Sequence, residues 1–166
     1  MTRSFYTIGY EGSRVDEFVA TLRRAGVETL IDVRDLPLSR KPGFSKSALA
    51  EKLEAHGIAY VHLKGLGDPK PGREAARAGK YAQFRTIFGR HMTTDVAQRD
   101  LERAVELVRG KPCCLMCFEQ NHCNCHRSIV ADHIVEHTGL RLRHLSVGGE
   151  SAVHEPVPYL PGLAVA

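Results

Sequence analysis

A nucleophile, a proton carrier and an anion clamp can be supplied by cysteine, glutamate, histidine and arginine, and one stretch of this chain holds all four. Residues 117–127 read Cys–Phe–Glu–Gln–Asn–His–Cys–Asn–Cys–His–Arg. An apolar run, Cys113 to Cys117, enters the stretch, and a helical pattern from Ser128 leaves it. Strand, loop and helix in that order is how α/β proteins commonly build sites. With Asn124 as N-cap, Cys125, His126 and Arg127 are the first three helical positions. The unpaired N–H groups and positive end of a helix favour an anion there and stabilise a thiolate. Cys125 is therefore the candidate nucleophile or anion-site residue, with Glu119 as general acid or base. His126 and Cys117 are further catalytic candidates, and Arg127 is suited to bidentate anion binding.

Metal binding is the competing chemistry. Cys117, Cys123, Cys125 and His126 offer four soft or borderline ligands, a possible zinc set. Their spacing is not the paired C-x2-C type, and adjacent Cys125 and His126 point in different directions at a helix start. No cofactor is expected, and zinc is the minor alternative. All five cysteines fall between 113 and 125. An odd, clustered set argues against a disulfide framework. Cys113 and Cys114, inside the apolar run, read as plainly buried.

These side chains need elements that bring loops together. Phe5 to Gly9 is a short strand rich in β-branched and aromatic residues. A turn follows, with Gly9 and Gly12 around Tyr10. Ser13 and Asp16 form a capping box ahead of Val15, Phe18, Val19 and Leu22, one helical face. Glu28 to Val33 is a second strand, so the unit implies a right-handed parallel crossover. Residues 34–44 form a loop carrying Arg34, Ser39 and Arg40. Ser45 caps the next helix, with Phe44 and Leu49 as a hydrophobic staple. A third strand runs from Ile58 to Leu63. Residues 65–72, rich in glycine and proline, read as a mobile loop able to act as a lid. An inserted helix pair follows, one carrying Tyr81, Phe84, Ile87 and Phe88, the other Leu101, Ala104, Val105 and Val108. The fourth strand is the run from Cys113, and Arg141 to Leu145 is the fifth.

The pattern predicts a single Rossmann-like three-layer α/β domain over residues 1–146, with a mainly parallel sheet of about five strands. Residues 147–166 read as a C-terminal extension. The simplest doubly wound order, 3-2-1-4-5, gathers residues 9–12, 117–127 and, one strand over, 34–44 at the carboxyl ends of the strands. Gly9, Tyr10, Gly12, Asp32, Arg34, Ser39 and Arg40 thereby join Arg127 as ligand-binding candidates. The structural alternative for Asp32 and Arg34 is an internal ion pair.

The chain carries 23 basic and 19 acidic side chains, net +4, which permits an anionic ligand. Nucleic acid is a possible partner through Lys70, Arg73, Arg77, Lys80 and Arg85, although these read first as a solvated helix face. No apolar run approaches the roughly 20 residues a bilayer span needs. The apolar stretch at the N-terminus is too short for a signal peptide. No membrane partner and a cytoplasmic location are expected.

Taken together, the motifs resemble a known family. Residues 7–12 (Thr–Ile–Gly–Tyr–Glu–Gly), 31–34 (Ile–Asp–Val–Arg) with Pro37, Ser39, Arg40 and Phe44, and 57–60 (Gly–Ile–Ala–Tyr) carry part of the likeness. Leu66–Gly67, Cys117–Phe–Glu119 and Cys125–His–Arg127 carry the rest. The chain resembles, over about residues 5–138, the domain of unknown function 488 family. The resemblance implies an α/β domain of Rossmann-like type and no established activity. It matches Gly9, Asp32, Arg34, Pro37, Cys117, Glu119, Cys125, His126 and Arg127 to the family pattern, and leaves Cys123 outside it.

The function expected is an enzyme acting on an anionic ligand, phosphate-bearing or nucleotide-like, in a cleft lined by Cys, Glu, His and Arg. A non-catalytic nucleotide- or nucleic-acid-binding module is the alternative. Asp32–Val33–Arg34 also resembles rhodanese domains, which makes sulfur transfer a lesser version of the enzyme reading. A metal-stabilised loop is a further one.

Overall fold

The computed structural model describes residues 3–148. The C-terminal extension expected over 147–166 lies outside the described residues apart from Val147 and Gly148. Five strands form one all-parallel sheet: β1 (Ser4–Gly9), β2 (Thr29–Asp32), β3 (Ala59–His62), β4 (Cys113–Cys117) and β5 (Arg141–Leu145). Helix α1 (Val15–Arg24) joins β1 to β2, and α2 (Lys46–Glu54) joins β2 to β3. Three helices rather than a pair lie between β3 and β4: α3 (Lys70–Arg77), α4 (Tyr81–Met92) and α5 (Asp95–Gly110). Helix α6 (His126–Thr138) joins β4 to β5. This is the α/β architecture expected.

The strand order is β3-β2-β4-β1-β5, not the expected 3-2-1-4-5. The physical reason lies in β4. All five of its residues are buried and apolar, whereas β1 carries Ser4 and Thr7. A strand covered on both faces reads as an unbroken apolar run, and β4 accordingly takes the middle of the sheet. Its residues divide the core. Cys113, Leu115 and Cys117 pack with buried residues of α4, α5 and α6. Cys114 and Met116 pack on the opposite face with Phe18 and Leu22 of α1 and Leu49 and Leu53 of α2. The result is three layers.

This order sharpens the site. The chain leaves β1 and β2 toward the α1–α2 face and leaves β4 toward the α6 face, so the carboxyl end of β4 is where connections diverge. Gly9 is level with Cys117, and Asp32 with Met116. Loops expected one strand apart are direct neighbours on either side of β4.

Two expected helix starts differ in detail. Helix α1 begins at Val15 with Arg14 as N-cap, and the Ser13 hydroxyl donates instead to the Tyr10 carbonyl at 2.6 Å. Ser45 is the N-cap of α2, but its hydroxyl bonds to Ser39, accepting from the Ser39 N–H at 3.0 Å.

The loop after β2 is pinned by an internal ion pair. Asp32 is fully buried and takes a forked interaction from Arg34, Nε to Oδ1 at 2.9 Å and Nη2 to Oδ2 at 2.8 Å. The Tyr60 hydroxyl donates to the same carboxylate at 2.5 Å, and burial pushes that phenol well above its usual range. Arg34 also donates to the Phe44 carbonyl at 2.7 Å. Removing one member of a buried pair strands the other charge, a cost of about 3–5 kcal/mol. Asp32→Asn should therefore lose about 3 kcal/mol in urea unfolding, and Asp32→Leu combined with Arg34→Met should lose less than Asp32→Asn alone.

Candidate active site

Gly9 ends β1 because nothing larger fits. A Cβ there would collide with the carbonyl of Glu119 and lie 2.8 Å from Nη1 of Arg127. Beyond it the β1–β4 ladder continues into the loops, Tyr10 N–H to the Cys117 carbonyl at 3.3 Å and Glu11 N–H to the Phe118 carbonyl at 2.8 Å. The Gln120 N–H adds a bond to the Glu11 carboxylate at 3.1 Å. The loop after β4 is thus laid directly over the first glycine turn.

Arg127 locks this arrangement from beneath. It projects from the first turn of α6 and is 1% exposed. Its Nε donates to the Thr7 hydroxyl at 3.2 Å, Nη1 to the Cys117 sulfur at 3.0 Å and to the Glu119 carbonyl, and Nη2 to the Gln120 carbonyl at 3.3 Å. Burial would lower its pKa, but the sulfurs of Cys117 and Cys125 outweigh this and hold it charged. The anion clamp expected from Arg127 is spent on the protein's own loop. Arg34 is likewise committed to Asp32, and Arg40 is exposed and outside the cleft.

Around the arginine the chemistry concentrates. The Cys117 thiol donates to Oε2 of Glu119 at 3.3 Å, and the Cys125 thiol donates to the same oxygen at 3.2 Å. Burial would raise the Glu119 carboxyl. Its own backbone N–H, nearby His126 and the two thiols more than offset that, and the group lies below the usual glutamate range. Cys125, not Asn124, is the N-cap of α6, its sulfur accepting from the Arg127 N–H at 3.5 Å. Burial, then the proximity of Cys117 and Glu119, pushes the Cys125 thiol well above its usual range. The stabilised thiolate expected at that helix start is overridden, because desolvation outweighs the helix end. His126 is turned inward, Nε2 2.7 Å from the Val33 carbonyl, and burial lowers its pKa. Donation from Nε2 leaves Nδ1 as the acceptor, 3.8 Å from the Cys125 sulfur.

The four-ligand zinc set, the minor alternative in the sequence, is not assembled among the described residues. Cys123 is exposed, its sulfur 3.8 Å from Nδ1 of His122. The group among the described residues able to hold a metal is Cys117, Glu119 and Cys125, with one donor atom of each within 4.8 Å of the others. The guanidinium of Arg127 already stands against one of these sulfurs.

A cleft of about 580 Å³ opens above this cluster. Cys117, Glu119 and His126 contribute to its lining, Cys125 does not. Tyr10 lines it while stacked on Phe44 at 4.5 Å. Ser39 and Arg34 line it from the second loop, whereas Asp32 and Gly12 do not. Its mouth is apolar: Leu36, Leu38, Tyr81 and Phe118, 37–72% exposed, are four of the five exposed large hydrophobic side chains among the described residues.

Asp68, from the stretch expected to be a lid, lines the cleft together with Arg73, Ala76 and Arg77. Residues 65–72 are held in place. The Gly65 N–H donates to Asp100 at 2.7 Å, and its carbonyl meets His91 Nε2 at 2.6 Å. A short 3-10 turn (Lys64–Leu66) and the start of α3 occupy most of this stretch. Sequence reasoning missed Asp35, Asp68 and Phe118 as cleft residues and gave Arg73 and Arg77 to a solvated face. Arg73 pairs with Asp35 at 2.7 Å, which interrupts the basic stripe proposed for nucleic acid. The signal for Asp68 was an acid set between glycine and proline at a helix start.

Fold and site together define an α/β parallel-sheet domain with a cysteine–carboxylate cleft at the carboxyl end of its central strand. A family model described as domain of unknown function DUF488 matches residues 14–134, and the chain belongs to that family. No curated protein and no solved structure matched the chain. No helix among the described residues is long and apolar enough to cross a membrane.

Two glycine substitutions separate close packing from backbone freedom. Gly9→Ala drives a methyl into the Glu119 carbonyl and should cost about 3 kcal/mol in urea unfolding. At Gly12, φ is +75° and nothing lies within 4 Å of an added Cβ, so Gly12→Ala should cost about 1 kcal/mol.

Proposed function

We propose that the protein is an enzyme using the Cys117 thiol on a small ligand that carries an anionic group. The observation that carries this reading is the setting of one sulfur. Cys117 Sγ lies 3.0 Å from a guanidinium nitrogen of Arg127 and 3.3 Å from a carboxylate oxygen of Glu119, at the floor of the cleft. A thiol with a positive charge on one side and a proton acceptor on the other is arranged for nucleophilic attack. In the proposed step the sulfur bonds to an electrophilic centre of the ligand as the bond to the leaving group breaks. The thiol proton passes to Glu119 and on to the leaving group, and Arg127 balances negative charge on sulfur. The role first given to Cys125 moves to Cys117 because Cys125 is behind the cleft wall. Arg77, exposed on α3 at the cleft, replaces Arg34, Arg40 and Arg127 as the proposed anion contact. The aromatic and aliphatic mouth suits a ligand with an apolar or planar body.

Labelling tests this directly. In a Cys123→Ser background at neutral pH, iodoacetate should carboxymethylate Cys117 at least about tenfold faster than Cys113, Cys114 or Cys125, read by peptide mass spectrometry. Arg77→Gln should slow iodoacetate more than neutral iodoacetamide. Labelling of Cys117 only under denaturing conditions, together with Cys113 and Cys114, would remove the thiol from consideration.

A further inference from the structure

Asp68 is one of two residues among those described, with Arg143, that have a buried side-chain polar atom without a hydrogen-bond partner. It lies between the 3-10 turn and α3, is 5% exposed, and lines the cleft that holds Cys117 and Glu119. Its Oδ1 is buried and has no hydrogen-bond partner. Buried carboxylate oxygens are nearly always satisfied, because desolvating one without a partner is costly. The surroundings have not relaxed to satisfy this one. Arg73, the nearest cation, donates to the Asp68 backbone carbonyl at 2.7 Å and to the Asp35 carboxylate at 2.7 Å. Gly72 faces Asp68, and a Cβ there would overlap Oδ1. The carboxylate is held by the backbone of an anchored segment, with Oδ1 closed off against Gly72, and the residue lines the cleft.

We propose that Asp68 is a ligand-contacting residue whose carboxylate accepts a hydrogen bond from an N–H or ammonium group of the substrate. This rests on the cleft being the site of function and adds to it the nature of the ligand. With Glu119 and Asp68 both on the cleft and Arg77 on α3 beside it, the ligand is amphoteric. It carries a nitrogen donor toward Asp68, an anionic group toward Arg77 and an apolar body between them.

Burial, followed by the charges of Glu119 and Asp35 and opposed by Arg73, pushes the Asp68 carboxyl up to about 7. The folded value thus stands above the ordinary aspartate value of 3.8. The folded state binds the proton more tightly, so this group's contribution to stability is fully present below the unfolded value and falls as pH rises through the folded one. Asp68→Asn should therefore melt at a higher temperature than wild type at about pH 8.5, with the gap narrowing as pH falls below about 7 and closing by about pH 4. A structural role would give the opposite sign.

A second readout locates the charge in the cleft. Cys117 is modified, in the Cys123→Ser background, by the methanethiosulfonates of ethyltrimethylammonium and of ethanesulfonate. At about pH 8.5 Asp68→Asn should lower the cation-to-anion rate ratio about fivefold, with little change at about pH 5.5. An unchanged ratio at both pH values overturns the proposal, as does a melting temperature below wild type throughout. Failure of Cys117 to react with either reagent counts against the thiol reading alone, and the melting comparison then decides Asp68.

Discussion

One guanidinium holds the carboxyl end of this sheet together. Arg127 leaves the first turn of α6 and reaches under the loop that precedes it, bonding β1 through Thr7, β4 through Cys117 and the loop itself through the carbonyls of Glu119 and Gln120. A buried arginine is tolerated only when its donors are filled, and here they are filled by backbone carbonyls, a hydroxyl and a sulfur. The same bonds fix where Cys117 and Glu119 stand. Structure and proposed chemistry therefore share one residue, and Gly9 is required because Arg127 and the Glu119 carbonyl occupy the space beside it.

The second constraint is the placing of β4 between β1 and β2. It puts the cysteine loop between two polar loops, each anchored differently. The β1 turn is tied by backbone bonds, and the β2 loop by the Asp32–Arg34–Tyr60 cluster. The cleft is consequently a rigid floor with acidic and aromatic walls. Its cations are mostly paired internally, which explains why its net basic composition does not translate into an anion clamp where the sequence suggested one.

Much of this was legible in the chain. Five strands and the major helices follow from hydrophobic periodicity and glycine placement, whereas the convergence of three loops was drawn from a strand order that the sheet does not have. Strand order was not legible from the connection pattern alone, although the unbroken apolar run of β4 pointed to the centre of the sheet. The roles of the arginines were hidden because composition does not say whether a guanidinium faces solvent or a carbonyl. Asp32–Val33–Arg34 could be read as an ion pair or as a ligand site, and burial decided for the former. Cys125 shows the limit of a helix-end argument: its position favours a thiolate, whereas its burial, which only packing reveals, pushes the thiol up. Asp68 was lost inside a stretch whose glycines and prolines suggested mobility, whereas Gly65, Leu66, Gly67 and Asp68 are all buried.

The fork of Arg127, and not merely its charge, fixes the loop after β4. Hydrogen exchange of Arg127→Lys against wild type tests this most directly, because lysine keeps the charge and loses the planar donor set. Protection should be lost at the amides of Tyr10, Glu11 and Gln120, with α1 and α2 unchanged. Equal protection of those three amides in both proteins would contradict this.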